Sequence, residues 1–245
     1  MPTETTFTPA RRALITGASS GIGAACALAF ARAGFDVALV ARSAQKLSAL
    51  ASELSALGVN AKAFSIDLSD LGSVKQSIVE IETSFGPIDA LINSAGVGYT
   101  SRLGDMPLAD WQRVMDLNVT SVFQVIQAVL PSMRSRSQGT IINIASIAAQ
   151  QAFENWGAYS ISKAALVALS DAIRVEEAAN GIRVVTISPG AVNTPIWDTD
   201  TVHSAFDRAA MLDAQTVAQT ILYAALLPSN AVISALTLTP TGGAL

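Results

Sequence analysis

Ala13-Leu14-Ile15-Thr16-Gly17-Ala18-Ser19-Ser20-Gly21-Ile22-Gly23 is the stretch on which the reading of this chain turns. Ala13 to Thr16 are apolar or β-branched and read as a short buried strand. Glycines follow at Gly17, Gly21 and Gly23, and the alanine-rich run from Ile22 to Ala33 reads as the next helix. Glycines at such a junction let the backbone turn tightly and approach a ligand closely. The helix start adds free N–H groups and the positive end of its dipole. That combination suits a pyrophosphate, with Gly17, Ser19, Ser20, Gly21, Ile22 and Gly23 as the contacting positions. The spacing is G-x-x-x-G-x-G, not the common dinucleotide pattern G-x-G-x-x-G. Ordinary strand-to-helix turns also use Gly and Ser, so it is the place in the topology that favours a nucleotide.

Outward from this point, short apolar runs alternate with helical stretches to the end of the chain. Strands are expected at 37–41, 61–66, 88–93, 140–145, 183–188 and 232–238. Helices are expected at 45–57, 74–85, 108–133, 158–179 and 214–226, and Gly34 and Gly58 close the first two helices of the chain. Strands apolar on both faces and separated by helices imply a parallel sheet covered on both sides. The expectation is a doubly wound, Rossmann-type α/β fold with a seven-stranded parallel sheet in a single domain, residues 11–245. Residues 1–10 read as a flexible tail.

Composition narrows the function. A net charge of −4, from 15 basic and 19 acidic residues, offers no electrostatic footprint for nucleic acid. Cys26 is the only cysteine and His203 the only histidine, so no multi-thiolate or His-rich metal site is available and a cytoplasmic setting is expected. Cys26, in an alanine-rich run, reads as a small buried hydrophobe. Residues 1–6 do not read as a signal peptide. No charge follows Asp213, but Pro228-Ser229-Asn230 breaks that tract far short of the roughly 20 residues a membrane span needs. A buried helix, a turn and a buried strand account for it, and no membrane segment is expected.

The other strand ends carry polar residues at the same rim. Arg42-Ser43 follows the second strand, where an acidic residue would pair with a ribose hydroxyl; a guanidinium fork and a hydroxyl suit a 2′-phosphate and favour NADP over NAD. Asp67 ends the third strand, where its carboxylate could accept from an adenine amino group. Asn93-Ser94-Ala95-Gly96 ends the fourth, and Ser146 ends the fifth, where its hydroxyl could hold a substrate oxygen. Tyr159 and Lys163 share one helix face at i and i+4. A phenol titrates near pH 10, and bringing it to about 7 takes roughly 4 kcal/mol. An ammonium about 5 Å away supplies on the order of 3 kcal/mol at an effective dielectric near 20. The pair is therefore expected to yield an acid fit to protonate a developing alkoxide.

In this order and spacing the motifs resemble those of the short-chain dehydrogenase/reductase family, from about Ala10 onward. The matching pieces are Thr16 to Gly23, Asp67-Leu68, Asn93 to Gly96, Asn118, Ser146, Tyr159-Ser160-Ile161-Ser162-Lys163, and Ser188-Pro189-Gly190 with Thr194. The resemblance implies an NADPH-dependent oxidoreductase interconverting carbonyls and alcohols by hydride transfer. Tyr159 would be the general acid or base, Lys163 would bind the nicotinamide ribose and lower the Tyr159 pKa, and Ser146 would orient the substrate oxygen. Asn118 would hold a water in a proton relay; its plain alternative is a polar residue marking a helix kink. Asp67 and Leu68 would lie at the adenine, and Asn93, Ala95 and Gly96 near the cofactor. Pro189, Gly190, Val192 and Thr194 would lie over the nicotinamide. The resemblance also implies a homo-oligomer, dimer or tetramer, associating through the helices around Leu117–Met133 and Tyr159–Ala179.

Two departures bear on substrate. Ser94 replaces the more usual second asparagine of Asn-Asn-Ala-Gly. The ending Leu236-Thr237-Leu238-Thr239-Pro240-Thr241-Gly242-Gly243 is more similar to enzymes of small hydroxy-acid or carbonyl compounds than to the fatty-acid-synthesis members. Specificity is expected in 147–158 and in a lid at about 194–212, although the latter also reads as an amphipathic helix packed on the body. His203 there reads as a lid or surface residue. One alternative is a ketoacyl-thioester (acyl-carrier-protein) reductase, for which Arg102, Arg134 and Arg136 could form a basic patch at the pocket mouth. A catalytically idle NADP-binding regulatory protein is the other, but it would be expected to lack Ser146, Tyr159 or Lys163.

Overall fold

The computed structural model describes residues 11–204 and 206–243; the expected tail at 1–10 lies outside the described residues. The strands are β1 (Arg12–Thr16), β2 (Asp36–Ala41), β3 (Ala61–Ser65), β4 (Ala90–Asn93), β5 (Gly139–Ile144), β6 (Ile182–Pro189) and β7 (Ala235–Leu238). All pairings are parallel, in the order β3-β2-β1-β4-β5-β6-β7. The helices are α1 (Gly21–Arg32), α2 (Ala44–Ser55), α3 (Val74–Phe85), α4 (Leu108–Met115), α5 (Ser121–Ser135), α6 (Gly157–Glu177) and α7 (Ala214–Leu226).

Alternating side chains of each strand feed two separate cores. Ala13 and Ile15 of β1 pack with Val37, Leu39 and Ile142 under the α1, α2 and α7 layer. Leu14 packs with Ala38, Val40 and Leu91 under the α3, α5 and α6 layer. The doubly wound reading therefore holds. Cys26 is wholly buried in the first core, and burial pushes its thiol pKa up, as befits a packing residue.

Two expectations need correction. The stretch 108–133 is not one helix, because Asp116–Thr120 forms a π-helical turn between α4 and α5. Asn118 stands at its centre, so the kink reading is right. The last strand is shorter than expected and is not buried: β7 is an edge strand whose residues alternate between exposed and half-buried. Leu236 and Leu238 pack partly against the first core, while Ala235 and Thr237 face outward. α7, by contrast, buries Val217, Ala218, Ile221 and Leu222 against the sheet. The helical run Leu108–Ser135 is long and apolar enough to cross a membrane by composition, but half of its most apolar window is buried, as in a core helix.

Candidate active site

The chain reverses direction in the sheet between β1 and β4, and the crevice at their carboxyl ends is where such sheets bind ligands. Thr16 and Asn93 are register partners there, as are Asn93 and Asn143. The Thr16 hydroxyl accepts from the backbone N–H groups of Ser94 (3.1 Å) and Ala95 (3.2 Å), tying the two loops together. Gly17 has φ +68°, and a Cβ on it would stand 2.8 Å from the Ala95 nitrogen. A Cβ on Gly23 would collide with the Gly17 carbonyl, so α1 and its loop approach to backbone distance. No side chain caps α1, Ser20 included, and no acidic residue sits in its first turn. Ser19, Ser20, Gly21 and Ile22 thus line an electropositive helix start that fits a pyrophosphate.

The outer strand ends answer the expectations unevenly. Arg42 is exposed just past β2, and Ser43 begins α2 without making a capping bond, so both polar groups stay available. Asp67 Oδ1 accepts from the Ser69 N–H (2.9 Å) and hydroxyl (2.7 Å). Those bonds, with a smaller contribution from the Arg42 charge, hold its carboxyl below the usual carboxylate range. Leu68 is buried in the core beside Val74, which leaves only its backbone to offer a ligand. Asn93 is also buried: its Nδ2 donates to Asn143 Oδ1 (2.9 Å), and Asn143 Nδ2 donates to Ser170 Oγ (2.8 Å). Asn93 Oδ1 is a buried acceptor without a partner.

Ser146, Tyr159 and Lys163 do come together. Together with Ser94, Gly96, Pro189, Gly190, Val192 and Thr194 they line one cleft, about 820 Å³ out to its mouth. Ser146 Oγ accepts from the Ala148 N–H at 3.1 Å, which fixes its position at the end of β5. Lys163 Nζ is buried, donates to the Ile144 carbonyl (2.8 Å) and stands 5.6 Å from the centre of the Tyr159 ring. Burial lowers its pKa to about 8.

Tyr159 departs from expectation. Burial pushes its phenol up to about 12, opposed only by the facing Ser146 hydroxyl, instead of down towards 7. The expected ammonium effect is weakened because Lys163 is itself desolvated and directed at the Ile144 carbonyl. Asn118 is wholly buried and its amide is fully engaged. Oδ1 accepts from the Val97 N–H (2.8 Å), while Nδ2 donates to the Val97 carbonyl (3.0 Å) and to Ser162 Oγ (3.0 Å). Ser162 in turn donates to the Tyr159 carbonyl at 2.7 Å. Thr16, Ser162, Asn143 and Ser170 were given no role by the sequence reading. The one usable signal was a polar Asn143 in the otherwise apolar Ile141-Ile142-Asn143-Ile144.

The segment 194–212 is built of short 3₁₀ turns at Pro195–Asp198 and Arg208–Ala210 and contains no α-helix among its described residues, so the amphipathic-helix reading fails. Its base is closed by the bridge between Val192 and Leu212. Arg208 bonds Asn193, Asp198 and the Thr194 carbonyl. Its tip is tied to the loop after β4 by Thr100 N–H to the Thr201 carbonyl (2.8 Å) and Thr201 Oγ1 to the Gly98 carbonyl (2.7 Å). His203 is exposed, as expected of a lid or surface residue. The three arginines do not gather into a patch: Arg134 pairs with Glu177 at the far end of α6 and Arg136 with Asp89 ahead of β4, while only Arg102 lies beside the bridge from Ser101 to Trp156, exposed and 4.0 Å from Asp105.

Residues 11–204 match the family described as short chain dehydrogenase. An uncharacterized oxidoreductase of Staphylococcus epidermidis is 34% identical over 229 residues, 93% of this chain and 96% of that protein. The alcohol dehydrogenase of the archaeon Thermococcus sibiricus, solved with 5-hydroxy-NADP, superposes with a TM-score of 0.87 at 28% identity over 95% of this chain and 97% of its own. L-Sorbose reductase of Gluconobacter frateurii, solved with NADPH and L-sorbose, gives a TM-score of 0.86 at 28% identity over 96% of each chain. With a family match spanning most of its length, and with Ile22 of the first helical turn lining one cleft with Ser146, Tyr159 and Lys163, this chain belongs to the short-chain dehydrogenase/reductase family of oxidoreductases.

Proposed function

We propose that the protein reduces carbonyl compounds to alcohols with NADPH, and that Tyr159 donates the proton. The observation that carries this reading is the meeting of Ser146, Tyr159 and Lys163 in one cleft that is also lined by Ile22 in the first turn of α1, by Ser94 and Gly96, and by Pro189 to Val192 with Thr194. Bound there, the reduced dinucleotide supplies the hydride. As the carbonyl carbon gains that hydride and its electron pair, the C–O π pair moves to oxygen, which takes the Tyr159 proton. Ser146 holds the same oxygen by a hydrogen bond, and solvent later returns a proton to the phenolate. A phenol near 12 still lies well below water, roughly 15.7, the gauge for an alkoxide's conjugate acid, so transfer to alkoxide runs downhill.

Lys163, near 8, keeps its ammonium at neutral pH and opposes the charge left on Tyr159. Asn118 acts as a positioning residue: through Val97 and Ser162 it joins the loop after β4 to the first turn of α6, where Tyr159 stands. Segment 194–212 serves as the lid. Exposed Leu108, Phe123, Ile161 and Val175 on α4, α5 and α6 support self-association through those helices. The reading is tested by following NADPH oxidation as neutral ketones are added: ketone-dependent oxidation is expected, and bound NADPH that no ketone oxidises would favour the idle-binder alternative.

The NADP preference rests on Arg42 and Ser43, with no carboxylate directly after β2. Arg42→Ala should weaken NADPH binding by about tenfold, the worth of one charge-assisted contact, and leave NADH within about twofold. Equal loss for both coenzymes would remove Arg42 from the 2′-phosphate site.

A further inference from the structure

We infer that the cleft selects a neutral ketone bearing an aryl or similarly flat apolar group, seated on a wall made by Phe153, Trp156, Trp197 and Phe206. The inference rests on the carbonyl-reduction reading above. Tyr159 is the first ring of a continuous aromatic chain. It meets Trp156 edge to face at 5.2 Å, Trp156 meets Trp197 at 5.5 Å, and Trp197 meets Phe206 at 5.5 Å. The chain therefore leads from the proton donor across the cleft to the lid, and all of its members line the cavity.

These rings are held in place rather than loosely packed. Trp156 is buried at the entrance to α6, and the backbone of Asn155 accepts from the Ser101 N–H at 2.7 Å. The Trp197 indole N–H donates to the Val192 carbonyl at 2.8 Å, which fixes the ring plane. A cluster serving only as core would bury all of its faces. Phe153, Trp197 and Phe206 instead remain half-exposed towards the cavity. Such fixed, partly open rings favour an incoming flat apolar group by stacking and by removing its surface from water.

Charge supports the same class. Among the described lining residues Lys163 is the only ionisable cation, and it is directed at the Ile144 carbonyl. The lid arginine, Arg208, is taken up by Asp198, Asn193 and the Thr194 carbonyl. A carboxylate or phosphate on the substrate would enter an apolar cleft whose one lining cation, Lys163, is already bonded to the Ile144 carbonyl, which is unfavourable. Of the small hydroxy-acid and carbonyl compounds that the C-terminal resemblance implies, this cleft therefore suits the neutral carbonyl compounds.

The test compares kcat/KM for acetophenone, 2-butanone and pyruvate with NADPH, in the parent and in Trp197→Ala, Trp197→Phe and Phe206→Leu. The parent should prefer acetophenone over 2-butanone by about tenfold or more and over pyruvate by a larger factor. In Trp197→Ala the acetophenone preference should fall towards unity, chiefly through KM, and Trp197→Phe should restore it. Phe206→Leu, a milder change near the lid surface, gives the same reading if Trp197→Ala fails to fold. Reduction of pyruvate or 2-butanone as fast as acetophenone would overturn the aryl subsite and leave the carbonyl-reductase reading standing. If no ketone is turned over, that reading falls, and quenching of tryptophan fluorescence in the NADPH-saturated protein decides the subsite: saturable quenching by acetophenone supports it, and none overturns it.

Discussion

Tyr159→Phe is expected to lower kcat by about 10²- to 10⁴-fold while changing the Kd for NADPH by less than about threefold. The substitution removes only the hydroxyl. Phenylalanine keeps the ring that packs on Trp156 at 5.2 Å, so the helix entrance and the cleft wall remain. The phosphate loop, Arg42 and Ser43 belong to other elements and are untouched. What is lost is the hydroxyl that faces Ser146, and with it the proton that the proposed mechanism hands to the alkoxide. Turnover equal to that of the parent would take Tyr159 out of the mechanism. An equal loss of coenzyme affinity would make it a binding residue instead.

Lys163→Met should lower turnover by about 10²-fold or more and, at neutral pH, make the free protein no less stable. Lys163 is buried, and its pKa falls from 10.5 to about 8 through loss of hydration. That shift corresponds to roughly 3 kcal/mol of cost for keeping the charge in the folded state. Methionine removes the cost but strands the Ile144 carbonyl, now accepting at 2.8 Å, at a penalty of about 1–3 kcal/mol. The net at pH 7 is therefore near zero or mildly stabilising.

The pH dependence is sharper. Between the folded value near 8 and the unfolded value of 10.5 the native parent binds fewer protons than its unfolded chain, so parent stability gains from this group as pH rises through that window. The stability of the methionine variant relative to the parent should therefore fall by about 3 kcal/mol between pH 7 and pH 10.5, measured by urea denaturation. Tyr159, near 12 in the parent and no lower without the ammonium, stays protonated in both folded proteins up to pH 10.5, so its titration adds little to the difference. A difference that stays constant across that range would contradict the buried-charge account.

The two-sided cover of the sheet was legible because strands such as Val37–Ala41 are apolar on both faces, whereas the strand order was not, since it depends on which strands the crossovers bring side by side. The strand-end residues were legible too, since parallel strands bring all their carboxyl ends to one rim. β7 was misread because absence of charge does not distinguish a core strand from an edge strand with a single neighbour. The Tyr159 pKa was misread for a related reason. The i to i+4 spacing fixes a shared helix face, but it says nothing of the Ile144 carbonyl that competes for the ammonium or of the depth at which both groups are buried. Asn118 shows the reverse: its poor helix propensity did signal a break, and the π-turn uses that break to deliver the amide to Val97 and Ser162. The amphipathic-helix reading of 194–212 failed because Pro195 and the short 3₁₀ turns at Pro195–Asp198 and Arg208–Ala210 interrupt any helical run there.

Hydride delivery within this cleft is tested most directly by labelling. Acetophenone is incubated with the protein and NADPH carrying deuterium at both positions of the reactive nicotinamide carbon, and the alcohol is analysed by NMR. One deuterium on the carbinol carbon, formed by the parent and essentially absent with Tyr159→Phe, is the predicted result. Alcohol without deuterium, or equal labelled product from the phenylalanine variant, would contradict the account.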